Sequence, residues 1–304
     1  MTASELNQLT ELMTAGSPSF EDDTETLRND FNGVLESLPL DESLKFEERS
    51  IGGINGTWLS GPSNSQSILL YLHGGAYVAG TAYGYRSLSS SIAQAVGSAH
   101  FSVEYRLAPE TPFPGALDDA LDAYRGLLDD GYTADRIVVA GDSAGGGLAA
   151  ALLIALKNAG LQQPAGAWLI SPWADLGLTG DSIRTKADVD LLLTPAGLRK
   201  TSREYLNGED ASNPLASPIH ADWSSIAPLK ISAGGAEILM DDAIQLSARA
   251  AHAGVSVQLD IVSGLLHDYP LFAPMLSEGR DAIAAGAAFL ADCLVAAQET
   301  TTEA

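Results

Sequence analysis

One cysteine and five histidines are all that 304 residues hold of those types, and basic residues number only 16. The lone Cys293 excludes an intramolecular disulfide and any zinc site built on cysteine thiolates. It lies in an Ala-rich stretch, 282–297, where an isolated cysteine reads as a small packing residue. The basic residues face 39 Asp and Glu, which leaves a net charge of −23. Such a surface repels phosphate backbones and anionic lipid, so neither nucleic acid nor membrane insertion is expected. With only five Lys it suits a salty medium, although lineage composition explains the acidity as readily. Long apolar runs are missing too. The longest, 148–156, falls well short of the ~20 residues that cross a bilayer. The opening MTASELNQLTELMTAG has neither the basic nor the apolar region of a signal peptide, so a cytoplasmic protein is expected.

What is present is ample apolar material, 46% of the chain, arranged in alternation. Residues 67–73, 100–105, 136–140, 166–170, 229–233 and 257–262 are short apolar runs without strict alternation. They read as strands of a parallel sheet buried on both faces. Between them, 85–96, 115–130, 144–159, 241–253 and 278–297 carry apolar residues at helical spacing. In the second of these, Leu117, Leu121, Tyr124 and Leu128 form one stripe, while Asp118, Asp119, Asp122 and Arg125 are expected to face away. The alternation specifies an α/β fold, a mostly parallel central sheet with helices on both faces. Upstream, 44–51 and 54–60 flank Gly52-Gly53, a hairpin signal, so the sheet should begin with an antiparallel pair. Two stretches interrupt the pattern. Residues 1–40 read as one or two short helices, and 173–226 as a long helical and loop insertion between strands. Both are expected to form one helical cap, over a core of 41–172 and 227–304.

The sharpest local signal is Gly141-Asp142-Ser143-Ala144-Gly145, between the strand 136–140 and the helix 144–159. This is a G-x-S-x-G nucleophile elbow in its required strand–turn–helix setting. The turn strains Ser143, and small neighbours let adjacent backbone approach without a clash. The hydroxyl then stands at a helix N-terminus, where amides point at developing negative charge. The overlapping Gly145-Gly146-Gly147-Leu148-Ala149-Ala150 also satisfies a dinucleotide fingerprint, but the nearest acid, Asp175, lies beyond the next strand rather than at its end. No cofactor is expected. His73-Gly74-Gly75-Ala76-Tyr77 closes another strand at the carboxyl edge of the sheet, so it shares a crevice with the elbow. Its N–H groups on Gly74, Gly75 and Ala76, with that of Ala144, are candidate oxyanion donors.

A serine nucleophile needs a base, and in this kind of fold the order is Ser, acid, His. After Ser143 come only His220, His252 and His267. His252 lies inside a helix and His220 in the expected cap. His267 follows the strand 257–262 and the turn Ser263-Gly264, where a base belongs. The acid should follow the strand 229–233, which leaves Glu237, Asp241 and Asp242. The two Asp open a helix, where acids complement the macrodipole; Glu237 sits in the loop and is free to reach the imidazole.

With these residues in place the chain resembles the bacterial hormone-sensitive-lipase family of esterases over nearly its whole length. The motifs are HGGAY (73–77), YRLAPE (105–110), GDSAGGG (141–147), SPW (171–173), GGAEILMDD (234–242) and GLLHDY (264–269). The resemblance implies an α/β-hydrolase fold with a helical cap, and hydrolysis of small, short-acyl carboxylic esters without metal or cofactor. Two departures stand out. The family loop reads H-G-G-G, whereas the third glycine here is Ala76, whose N–H still donates if its φ is negative. The family acid is commonly the Asp of a D-P-L pattern, and Glu237 holds the matching position, 30 residues before His267. The YRLAPE segment is expected only to shape the wall of the site.

The expected chemistry is acyl transfer through Ser143, with His267 as base, Glu237 as its orienting acid, and Gly75, Ala76 and Ala144 as oxyanion donors. Activity should fall as pH drops through the imidazole range, near ~6.5 before the site perturbs it. Lactones, including monoterpene-type lactones, and amides are alternative substrates for the same machinery. From another class comes a non-catalytic small-molecule receptor: plant gibberellin receptors resemble this family but lack the catalytic His, which this chain keeps. A homodimer is a further expectation, because dimers are frequent among similar proteins.

Overall fold

The chain enters its sheet through the hairpin at Gly52-Gly53, whose φ values of 60° and 80° suit glycine. In the computed structural model, which describes Glu5, residues 9–11, Met13, 16–63 and 65–303, this turn joins β1 (Phe46–Ile51) to β2 (Ile54–Leu59). Ile51 pairs with Ile54 across it. β2 then runs antiparallel to β4 (Ala99–Val103). The remaining pairs are parallel, through β3 (Ile68–Leu72), β5 (Ile137–Asp142), β6 (Gly166–Ile170), β7 (Leu229–Gly234) and β8 (Val257–Val262). The eight strands lie in the order β1-β2-β4-β3-β5-β6-β7-β8.

Successive residues of a strand point to opposite faces, and here each face meets its own helices. Leu70, Leu72, Val139 and Leu169 belong to one core with Leu117 of α3 (Gly115–Asp129), Leu152 of α4 (Ser143–Asn158) and Leu246 of α7 (Met240–His252). Leu69, Tyr71, Val138 and Trp168 belong to another, with Leu88 of α2 (Arg86–Val96) and Leu290 of α8 (Ser277–Glu303). The doubly wound α/β sheet expected from the alternation is therefore the fold. Residues 173–226 contain α5 (Ser182–Thr185), α6 (Pro195–Leu206) and a 3-10 turn at Pro218–His220, with no strand. Of the helices expected in 1–40, α1 (Thr24–Ser37) is present, and residues 9–11 are helical. The rest of that expectation, and most of the opening segment read for a signal peptide, lies outside the described residues.

Three local expectations need correction. β8 is an edge strand: its residues are mostly exposed, Leu259 and Ile261 among them, so the apolar run there is not buried on both faces. On α3 Leu117 and Tyr124 are buried as expected, beside Ala116, Ala120, Ala123 and Leu127, with Leu121 and Leu128 packed half-buried against the same core; Asp119, however, faces inward. Its carboxylate accepts from the N–H and guanidinium of Arg106, which satisfies the buried charge. Third, α8 is long and apolar enough, by length and composition alone, to cross a membrane. Its Leu290 and Leu294 are instead spent on Trp168 and the sheet. Cys293 is half-buried beside Gly166, and burial pushes its thiol up to about 11, which suits a packing residue.

Candidate active site

β5 is buried along its length and delivers the chain to Ser143 at φ 52°, a conformation that L-residues adopt only at a cost. The flanking glycines make this possible. A Cβ on Gly141 would stand 2.3 Å from the Gly145 carbonyl oxygen, and one on Gly145 would stand 2.1 Å from that of Leu72. The Ser143 carbonyl accepts from the Trp173 N–H at 2.9 Å, which ties the SPW segment to the elbow.

His267 arrives from the loop after β8, and its Nε2 lies 2.9 Å from Ser143 Oγ. Its Nδ1 lies 3.5 Å from Glu237 Oε2. Glu237 is fully buried, and that oxygen accepts from Ser171 Oγ at 2.8 Å and from the Gly234 N–H at 3.1 Å. Burial pushes the Glu237 carboxyl up, against the opposing pull of His267 and Ser171. The two competing acids are occupied elsewhere. Asp241 accepts from the Ser182 N–H, and Asp242 from the N–H groups of Ala174 and Asp175. His252 ends α7, and His220 is exposed in its 3-10 turn.

The HGGAY loop runs through positive φ at Gly75 (115°), Ala76 (54°) and Tyr77 (64°). Ala76 is therefore left-handed, and the negative φ set as the condition for its donation is not met; it stays a candidate only because its N–H is unclaimed. Among the described residues no protein acceptor takes the N–H of Gly75, Ala76 or Ala144. Gly74 is the exception among the four candidates. Its N–H donates to Asp142 Oδ1 at 3.0 Å, so it is committed to the loop's own structure rather than to an oxyanion. Asp142 also accepts from the Tyr71 hydroxyl at 2.5 Å.

Sequence reasoning missed Ser171, Asp142 and Asp268, and undervalued YRLAPE. The Tyr105 ring stacks on His73 at 4.2 Å, and its hydroxyl donates to the His73 carbonyl at 2.6 Å. That segment therefore underpins the glycine-rich loop. Burial lowers His73 to about 4, so it stays neutral and serves as a packed support. Farther along, Glu110 pairs with Arg28 of α1 at 2.6 Å, and Arg28 also donates to the carbonyls of Val78 and Ala108.

Above Ser143 and His267 lies a mostly closed apolar cavity of about 40 Å³. Phe20, Phe31 and Leu35 line it from the N-terminal segment, and Leu192 and Leu193 from the insertion.

The α/β-hydrolase fold family model matches residues 69–271. An acetyl-hydrolase of Streptomyces hygroscopicus is 43% identical over 241 residues, 79% of this chain and 81% of that protein. An esterase of Acinetobacter venetianus is 30% identical over 261 residues, 84% and 86% of the two chains. A crystal structure of an esterase from the bacterial hormone-sensitive lipase family superposes with a TM-score of 0.92 at 38% identity, covering 97% of this chain and 99% of that one. Motifs, fold and kinship agree, and the chain belongs to the bacterial hormone-sensitive-lipase family of α/β-hydrolases as an ester hydrolase.

Proposed function

We propose that the chain hydrolyses small, short-acyl carboxylic esters through a Ser143–His267–Glu237 acyl-enzyme mechanism. The observation that carries this reading is the 2.9 Å contact between Ser143 Oγ and His267 Nε2 beneath a small apolar cavity. His267 takes the proton of Ser143 as its oxygen attacks the ester carbonyl. The N–H groups of Gly75, Ala76 and Ala144 receive the oxyanion, each worth on the order of 10²–10³ in rate where well aimed. Glu237 holds the imidazole and stabilises its cation. The alcohol leaves with the proton from His267, and a water activated by the same ring releases the acid.

Residues 1–40 and 173–226 act as the cap in this reading, supported by their shared lining of the cavity and by the Thr194–Glu21 hydrogen bond of 2.7 Å. So little enclosed apolar space favours short, uncharged acyl groups, and the acetyl-hydrolase relative points the same way. The reading has the enzyme working in the cytoplasm; the net charge of −23 supports only its further part, that the chain takes neither nucleic acid nor an anionic membrane surface. A homodimer fits the exposed edge of β8, and native mass would decide it.

A series of chromogenic acyl esters from acetate to decanoate, run with matched amides and a Ser143→Ala control, tests the proposal. Acetate and butyrate esters should give the highest kcat/KM. No turnover above the Ser143→Ala control would sink the enzyme mechanism; preference for decanoate would sink the substrate class.

A further inference from the structure

The His267 ring has a carboxyl on each side. Glu237 lies toward Nδ1, as described. Nε2, the nitrogen that faces Ser143, also lies 3.1 Å from Oδ2 of Asp268. Asp268 is 4% exposed and sits at φ 51°, a left-handed conformation that Asp tolerates better than most residues. Its N–H donates to Ser171 Oγ at 3.2 Å, the same hydroxyl that donates to Glu237. The second oxygen, Oδ1, is buried without a hydrogen-bond partner among the described residues. A carboxylate and a bare imidazole nitrogen at this distance would set two acceptors against each other, so the arrangement calls for a proton between them.

We propose that Asp268 is a positioning residue of this hydrolase: it shares a proton with His267 Nε2, and the base is released to Ser143 only when pH rises far enough to remove that proton. The inference rests on the Ser143–His267 reading given above. While the proton is held, Nε2 donates and the Ser143 hydroxyl finds no acceptor there. When the proton leaves to solvent, Nε2 accepts from Ser143 Oγ. As acylation begins, the proton of Ser143 passes to Nε2, and the Asp268 carboxylate stabilises the imidazolium beside the reacting centre.

The surroundings favour the cation. Glu237 faces the ring from the loop between β7 and α7, Asp268 from its own loop, and Asp142 acts on it from the end of β5. Burial opposes charging the imidazole, but Asp268 and then Glu237 outweigh it and hold His267 well above the ordinary imidazole range. Asp142 is itself pushed well above the carboxylate range by burial and by Asp268, which favours its neutral form.

The test is the pH profile of kcat/KM on a butyrate ester for wild type, Asp268→Asn and Asp268→Ala. Asn keeps the shape and the tolerance of positive φ while removing the charge. The wild-type acidic limb should lie above the ordinary value of about 6.5, and in Asp268→Asn it should move down by about 1–3 pH units. Inactivation of Ser143 by a small sulfonyl fluoride over the same pH range should give the same limb. Coincident limbs in wild type and Asp268→Asn would overturn the proposal. Should the variants not fold, the wild-type His267 titration followed by NMR decides: a midpoint near about 6.5 also overturns it. A wild type inactive on every ester breaks the reading of the site; an active enzyme with an unmoved limb breaks this inference alone.

Discussion

The elbow after β5 and the loop after β8 carry the two halves of one proton-transfer pair, and they hold them by opposite means. At the elbow the backbone does the holding. Gly141 and Gly145 leave no space for a side chain, and Ser143 stands at φ 52° because the strand and helix on either side force it there. Around His267 the holding is done by side chains. Ser171 Oγ donates to Glu237 and accepts from the Asp268 N–H, and Asp268 flanks the same ring from the Ser143 side. One half of the site is therefore rigid by sterics and the other is positioned by a few polar contacts. Damage to the first should appear as lost folding, and damage to the second as lost rate.

The largest effect is expected at the elbow. Gly145→Ala puts a methyl group 2.1 Å from the Leu72 oxygen and 2.4 Å from that of His73, both backbone atoms that cannot swing aside. Overpacking of this kind costs about 1–3 kcal/mol and more where backbone must move. Thermal denaturation should show a clear fall in Tm, with hydrolysis lost alongside it. A variant of unchanged Tm would mean that the elbow is not rigid by sterics, and the contrast would collapse.

Next comes the other half. Glu237→Gln keeps the size and one acceptor for Ser171 and Gly234 but removes the charge behind His267. In the proposed mechanism kcat should fall by about 10²–10⁴-fold, with little change in Tm. Asp241→Asn should keep kcat within about threefold, because that carboxylate accepts from the Ser182 N–H rather than from the imidazole. Steady-state kinetics on one butyrate ester separates the two, and the reverse ranking would give the acid role to Asp241. Ser171→Ala should lie between them, at about tenfold in kcat, since one hydrogen bond to a charged group is lost. An unchanged kcat there would show that Glu237 and Asp268 need no common anchor.

The same division explains what could be read from residues alone. The elbow, the hairpin at Gly52-Gly53 and the strand–helix alternation are local patterns, and glycine at a strained turn announces itself. His267 was legible by position, because its rivals lay in a helix and an insertion. Ser171 and Asp268 were not legible: their roles depend on contacts across 66 and 97 residues, and neither residue type signals them. Gly74 was misread because a glycine-rich loop shows where donors are available but not which one a buried Asp142 has already taken. Asp119 was misplaced because helical spacing assigns acids to the outer face, and only Arg106, brought in from another element, makes the inner face tolerable.

The smallest expected effect tests whether support by side chains reaches the oxyanion loop as well. Tyr105→Phe keeps the ring that stacks on His73 and removes only the hydroxyl that donates to the His73 carbonyl. One neutral hydrogen bond is worth about 0.5–1.5 kcal/mol, so Tm should drop slightly. The kinetic consequence is more telling. If the hydroxyl steadies the strand end from which Gly75 and Ala76 project, then the loss belongs to the transition state, where those N–H groups meet negative charge. The expected result is kcat lower by about two- to fivefold at constant KM. A rise in KM alone would instead make Tyr105 part of the substrate wall, and the glycine-rich loop would then join the elbow as a structure held by its own backbone.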